Sequence, residues 1–187
     1  MADSAKQAIR NSFIKLLNEK PLKQISVKDI VEDCGVNRNT FYYHYQDIPS
    51  LLETIVEEDT NRIISKYSEI SSLEDCLLAI TDFALANKRA VFHIYNSAKK
   101  DFYEQHLLRI CHFMVSTYID RILDGHNIKS ADRDFIIGYY ECLAFGMTIK
   151  WLSTKMKDDI EVFIHKLSKI KQGELEKMIE SCEQKTK

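Results

Sequence analysis

Ser26–Tyr45 reads S-V-K-D-I-V-E-D-C-G-V-N-R-N-T-F-Y-Y-H-Y, and the folding of this stretch decides how the rest of the chain is read. Val27, Ile30 and Val31 place apolar groups at i, i+3 and i+4, one face of a helix. Ser26 stands where an N-cap hydroxyl accepts from an orphan backbone N–H. Glu32, Asp33 and Cys34 finish that helix, and Gly35 follows where a helix end takes a left-handed residue. Val36 is expected to be a buried turn residue and Asn37 a second N-cap. Arg38 to Tyr45 then forms a short helix whose Phe41 and Tyr45, at i and i+4, face inward.

Arg38, Asn39, Thr40, Tyr42, Tyr43 and His44 are left to face elsewhere. Two tyrosines on an outer face are costly in water unless something covers them. Arg, Asn, Thr, Tyr and His are the side chains that reach phosphates and base edges. Two short helices with such a face on the second form a helix-turn-helix, whose second helix enters the DNA major groove. The plain alternative is an αα-hairpin with a polar outer face.

Residues 9–55 resemble the DNA-binding domain of the TetR (tetracycline repressor) family of bacterial regulators. The resemblance is carried by I-R-N-S-F-I-K-L-L from Ile9, I-S-V-K-D-I-V-E-D-C-G-V from Ile25, N-R-N-T-F-Y-Y-H-Y from Asn37 and D-I-P-S-L-L from Asp47. T-F-Y-Y-H-Y is its most specific piece. It implies an all-α homodimer that controls transcription under a ligand, by repression according to family habit or by activation. Three positions depart from the family pattern. Ile48 stands where many members have a phosphate-binding lysine, Val31 replaces a small alanine, and Cys34 sits where another small residue is common.

The 187 residues suit a small domain followed by a larger one. We place the boundary at residues 48/49, with a DNA-binding domain over 1–48 and a ligand-binding and dimerisation domain over 49–187. Only five glycines and two prolines favour helices over a many-turned β architecture. No run is long and apolar enough to span a membrane, and the N-terminus lacks the apolar core of a signal peptide, so a cytoplasmic protein is expected. The five cysteines are scattered, with no C-x-x-C and no zinc-finger spacing, and read as reduced structural residues.

Net charge is −2. Residues 1–50 carry seven basic and six acidic side chains, against 19 and 22 in the remainder. DNA binding must therefore come from local placement of positive groups rather than bulk charge. Asp29, Glu32 and Asp33 would oppose phosphate unless they face away from it.

About nine to ten helices are expected. A support helix runs from Asp3 or Ser4 to Asn18, with Ala5, Ala8, Ile9, Phe13, Leu16 and Leu17 buried. The helix from Asp47 has Pro49 in its first turn, where a missing N–H costs nothing, and runs to about Tyr67. It links the two domains. Further helices cover 73–87, 88–96, 99–124, 130–154 and 159–171, and a short last one follows Gly173 before a polar tail. The helix over 130–154 is apolar nearly all round. Within it Gly138, Cys142 and Gly146 form a row of small residues that another helix could approach. Glycine costs about 1 kcal/mol against alanine inside a helix, so two of them want a packing reason. G-Y-Y-E-C-L-A-F-G-M-T-I-K-W-L from Gly138 is similar to the C-terminal domains of one TetR subgroup. That likeness implies that the last two long helices pair with their copies, bringing Gly138, Cys142, Gly146, Phe163 and Leu167 to a dimer interface.

Arg38, Asn39, Thr40 and Tyr43 are the candidates for base contacts. Arginine pairs with guanine, asparagine with adenine, and threonine meets a thymine methyl. Ser26, Lys28, Tyr42 and His44 are the phosphate candidates by resemblance. Packing against the first helix is the rival reading for Tyr42 and, more seriously, Tyr43. Phe102, Tyr103, His106, Tyr139 and Tyr140 are the candidates for a pocket taking a largely apolar small-molecule effector; their rival reading is plain core. His106, Cys111 and His112 do not have metal-ligand spacing, and neither metal nor cofactor is expected. There is no nucleophile elbow, H-E-x-x-H, P-loop or Rossmann fingerprint, so an enzyme is not expected. The alternative function is a ligand-independent regulator of the same fold, controlled through a protein partner.

Overall fold

The computed structural model describes residues 2–66 and 70–183, apart from the side chains of Ala2, Asp3 and Phe83. The expected helix end at Tyr67 and the polar tail beyond Glu183 lie outside the described residues. Among the described residues the fold is all-α. The helices are α1 (Ala2–Glu19), α2 (Val27–Cys34), α3 (Arg38–His44), α4 (Ile48–Lys66), α5 (Leu73–Ala86), α6 (Lys88–Tyr95), α7 (Lys100–Leu123), α8 (Ser130–Ser153), α9 (Ile160–Ile170) and α10 (Glu174–Cys182). A 3₁₀ turn, Leu22–Gln24, joins α1 to α2. No described helix is long and apolar enough to cross a membrane.

The chain forms two compact units, one of Met1–Arg62 with Ala84–His106, the other of Ile63–Phe83 with Leu107–Lys187. The first is built on α1. Ile9, Phe13 and Leu17 lie along one side of that helix and are buried, as are Ile30 of α2, Phe41 of α3 and Leu51 and Leu52 of α4, which together make up the core of this unit. The Ser12 hydroxyl donates to the Ile30 carbonyl at 3.1 Å, tying α1 to α2. Asp47 caps α4: its carboxylate accepts from the Ser50 N–H at 2.8 Å, and the Ser50 Oγ accepts from the Asp47 N–H at 3.1 Å. α6 docks on the far end of α1. Asn18 Oδ1 accepts from the Ala90 N–H at 3.2 Å, and His93 Nδ1 lies 2.6 Å from the Leu17 carbonyl oxygen, so Nδ1 carries the proton.

One polar pair lies inside this unit. Arg10 and Asp59 are both buried and joined through Nη2 and Oδ1. Arg62 adds a second cation to the same oxygen at 3.0 Å. Burial pushes the Asp59 carboxyl above its usual range, against the pull of the two arginines.

The second unit has its core along one face of α7 (Cys111, Met114, Val115, Ile119), with Cys76 and Leu77 of α5, Ile136, Tyr140 and Ala144 of α8, and Ile164 and Ile179 beyond. The Trp151 indole donates to the Asp158 carbonyl at 3.0 Å and fixes the α8–α9 turn. Burial pushes the Cys76 thiol up to about 12 and raises Cys111 too, so neither is a thiolate near neutral pH. One expectation changes: Val36 is half-buried rather than buried, because the turn faces partly outward. On α9, Ile160 and Ile164 are buried, whereas Val162, Phe163 and Ile170 lie open.

Candidate nucleic-acid interface

Three local devices shape the α2–α3 pair. At the start of α2, Ser26 and Asp29 form a capping box: the Asp29 N–H donates to Ser26 Oγ at 3.2 Å and the Ser26 N–H to Asp29 Oδ2 at 2.9 Å. These bonds, with Lys20 at 3.0 Å, lower the Asp29 pKa to about 2. At the end of α2, Gly35 takes φ +71°, a left-handed conformation that turns the chain sharply. At the start of α3, Asn37 Oδ1 accepts from both the Thr40 N–H at 2.8 Å and the Thr40 hydroxyl at 3.0 Å. α3 is thus held rigidly from its first turn, and Phe41 and Tyr45 anchor its inner face in the core.

What remains outside is the candidate reading face. Arg38 and Asn39 are exposed, and Arg38 has no acidic partner among the described residues. Tyr43 is 80% exposed and Tyr42 56%, so neither packs away against α1. Tyr42 leans edge-on against Phe41 at 5.5 Å between ring centres, and His44 edge-on against Tyr43 at 5.0 Å, which limits the freedom of these rings. Thr40 has its hydroxyl committed to Asn37, leaving its methyl as the free end. The Ser26 hydroxyl likewise already donates to Asp29 at 2.8 Å, so a phosphate contact from Ser26 has to displace that bond.

Each acidic residue of α2 has a lysine partner. Asp29 meets Lys20, Asp33 meets Lys15 at 2.5 Å, and Glu32 meets Lys28 at 3.7 Å. Sequence spacing shows only the last of these, an i,i+4 pair on an exposed helix face. The Lys15 and Lys20 partnerships depend on how α1 and the following turn lie against α2, and could not be read beforehand.

The remaining expected residues fall elsewhere. Phe102, Tyr103 and His106 belong to the first unit, where the Phe102 and His106 rings lie 4.5 Å apart and Tyr103 is buried. Tyr139 and Tyr140 belong to the second, Tyr140 buried and Tyr139 donating its hydroxyl proton to Glu174 at 2.8 Å. Cys142, Gly146 and Phe163 are exposed and Gly138 and Leu167 half-buried. Among the described residues no group of three His, Cys, Asp or Glu side chains forms a metal site.

Two family models match this chain. "Bacterial regulatory proteins, tetR family" covers residues 13–55, and "Transcriptional regulator C-terminal region" covers residues 71–173. The chain belongs to the TetR family of transcriptional regulators. That family consists of regulators, not enzymes. The activator of the dhaKLM operon, DhaS, of Lactococcus lactis is 30% identical over 80 residues, 43% of each chain. The regulator EthR of Mycobacterium tuberculosis is 32% identical over 60 residues, 32% of this chain and 28% of EthR. An uncharacterized regulator, YxbF, of Bacillus subtilis is 29% identical over 58 residues, 31% of this chain. These alignments span 43%, 28% and 15% of the three relatives, less than half of each. Among solved structures, the dihydroxyacetone kinase operon activator DhaS shares the fold with a TM-score of 0.77 at 20% identity over 96% of this chain and 98% of its own. A TetR regulator from Streptococcus agalactiae gives 0.55 at 19% identity over 98% and 96%.

Proposed function

We propose that this TetR-family regulator binds a palindromic double-stranded operator as a homodimer and that a small molecule modulates that binding. The observation that carries the DNA-reading part is the outer face of α3, where Arg38, Asn39, Tyr42 and Tyr43 stand exposed on a rigidly capped helix. Arg38, Asn39, Thr40 and Tyr43 meet bases; Tyr42, His44 and Lys28 meet phosphate, with Ser26 once its cap bond is exchanged. Residues 1–48 carry this task and 49–187 the ligand and dimer tasks. That is a division of work, whereas the compact units are a division of packing, and α6 packs with α1.

The homodimer reading is supported by the open faces of α8 and α9. Phe135, Tyr139, Cys142 and Gly146 follow one stripe of α8, and Val162, Phe163 and Ile170 lie exposed on α9. A Cβ placed on Gly138 or Gly146 meets nothing within 4 Å. The packing reason for those glycines therefore lies outside this chain, and a second copy supplies it. Two reading heads then sit one DNA turn apart, about 34–36 Å, or somewhat more.

Phe102, Tyr103, His106, Tyr139 and Tyr140 stay the candidates for contact with an apolar effector. Such a ligand acts by binding the two DNA-affinity states unequally, with α4 running on from the reading head to carry the change. The burial of Tyr103 favours the alternative of control through a protein partner, because a residue packed as core lines no open pocket.

The test uses an operator selected from random duplexes and fluorescence anisotropy with the full chain. Arg38→Ala should cost about 1–3 kcal/mol on that operator and little on random DNA, whereas Tyr42→Phe should weaken both alike. Equal losses on both DNAs for Arg38→Ala remove it from the base-reading set.

A further inference from the structure

The second unit holds a cleft of about 380 Å³ between the start of α5, α7, α8, α9 and α10. It lies at the small end of ligand cavities. Its deepest polar group is Tyr140. That residue is 1% exposed, and its hydroxyl has no hydrogen-bond partner among the described residues. A sealed unpaired hydroxyl is costly. Among the described residues the sealed side-chain atoms without partners are Arg10 Nε and Asp59 Oδ2, and the Tyr140 oxygen is not one of them. It therefore opens onto the cleft it lines. Burial first, then the nearby Glu174, Tyr118, Tyr139 and Glu176, push the Tyr140 phenol above its ordinary value. It stays protonated throughout the working range and can both donate and accept.

The charges around the cleft weigh against a charged ligand. Its lining carries Glu74 and Glu176 against Lys169 and Lys171, with His165 beside Glu74. Two of these are already engaged: Glu74 meets His165 at 3.2 Å, and Lys171 meets Glu174 at 2.7 Å. Glu176 and Lys169 are exposed, where a charge pair is worth little. A charged ligand would thus have to take a counter-ion from an existing pair or bind weakly at the rim. Neutral hydrogen-bonding groups remain, namely the Tyr140 and Tyr118 phenols, Ser168 and Gln172. We propose that this cleft binds a small uncharged polyhydroxylated molecule, of triose to hexose size, with the Tyr140 hydroxyl as its buried anchor. Such a ligand is hydrophilic and takes Tyr140 out of the set offered to an apolar effector, and its binding requires no DNA.

The full chain should be titrated with glycerol, ribitol and D-glucose, following the Ser168 and Gly173 amides by NMR. Amide shifts are preferred to melting temperature because polyols stabilise any protein by exclusion from its surface. At least one polyol should give saturable shifts. Tyr140→Phe should raise its Kd about tenfold without harming the fold, since the hydroxyl has no partner in the chain to lose. Gln172→Ala, at the exposed lip, should weaken the same polyol while leaving the fold untouched, and stands in should Tyr140→Phe misfold. The proposal is overturned by the absence of saturable shifts with all three polyols. An unchanged Kd in a folded variant, or saturation by zwitterionic L-serine in place of the polyols, overturns it equally.

Discussion

The buried Arg10–Asp59 pair invites a thermodynamic cycle. The two side chains are 10% and 4% exposed and lie between α1 and α4, inside the unit that carries the reading helix. Asp59→Ala leaves a guanidinium that cannot shed its proton in a site nearly closed to water. Breaking such a pair costs about 3–5 kcal/mol. Glu58 lies 3.8 Å from Arg10 Nε and returns part of this, so a loss of about 3 kcal/mol is expected. Arg10→Met is milder. Arg62 stays 3.0 Å from Asp59, and the carboxyl has an escape in taking up a proton. Burial already holds its pKa above the unfolded value. A raised folded pKa gives stability that is present at low pH and lost as pH rises through that pKa. The Arg10→Met deficit, about 2 kcal/mol at neutral pH, should therefore shrink as the solution is acidified. Arg10→Met combined with Asp59→Leu removes both desolvation costs, and the doubly changed protein should lie within about 1 kcal/mol of the original. The assay is urea denaturation followed by far-UV circular dichroism at fixed protein concentration. Fluorescence of Trp151 is unsuitable, since it sits in the other unit. If the double variant loses as much as the two single variants together, the pair is not coupled and the reasoning fails.

Three further outcomes are expected. The Asp29 pKa is lowered to about 2, so the capping-box contribution to α2 is present above the ordinary carboxylate pKa and is lost as pH falls toward 2; Asp29→Asn should flatten that dependence in amide exchange of α2. Gly146→Ala should stabilise α8 within the protomer by about 1 kcal/mol yet weaken self-association in analytical ultracentrifugation, and unchanged self-association would discount close helix approach at Gly146. Among the arginine and lysine side chains of residues 1–50, Arg38 and Lys23 have no acidic partner among the described residues, and Lys28 has only an exposed one at 3.7 Å, which makes six cations in the proposed homodimer. The salt dependence of DNA binding should then have a log–log slope of about −5.

Local signals made the helices legible. The caps at Ser26 and Asn37 both form, and Gly35 ends α2 with the positive φ its position called for. The division of α3 into an inner pair, Phe41 and Tyr45, and an outer set could also be read, because a 3.6-residue period fixes which residues share a face. What could not be read depends on contacts distant in sequence. Arg10 follows Ile9 on the buried side of α1, and only the return of Asp59, 49 positions later, explains a charge there. The cleft around Tyr140 is assembled from five helices and leaves no mark in any one of them. On α9, Ile160, Phe163, Ile164 and Ile170 recur at helical spacing, and spacing alone does not separate Ile164, which is buried, from Phe163 and Ile170, which are exposed. A hydrophobic period records that a face is covered, not whether the cover is the same chain or another copy.

The apparent conflict between an acidic chain and DNA binding also resolves through placement. α2 carries Asp29, Glu32 and Asp33 beside the reading helix, and unpaired they would repel phosphate. Lys20, Lys28 and Lys15 answer them one for one. This offsets the repulsion, and of the three lysines only Lys28, whose exposed pair with Glu32 is worth little, is proposed to meet phosphate. In the proposed complex, affinity would then rest on hydrogen bonds and ring contacts from α3, which reward correct base sequence, more than on counter-ion release, which rewards any duplex. A single head built this way binds weakly, and only two heads held at a fixed spacing reach useful affinity. On the proposed homodimer, the open apolar face of α8 and α9 and the sparse free charge of the α2–α3 head answer one requirement: a second copy would supply the binding strength that the charge of one head does not.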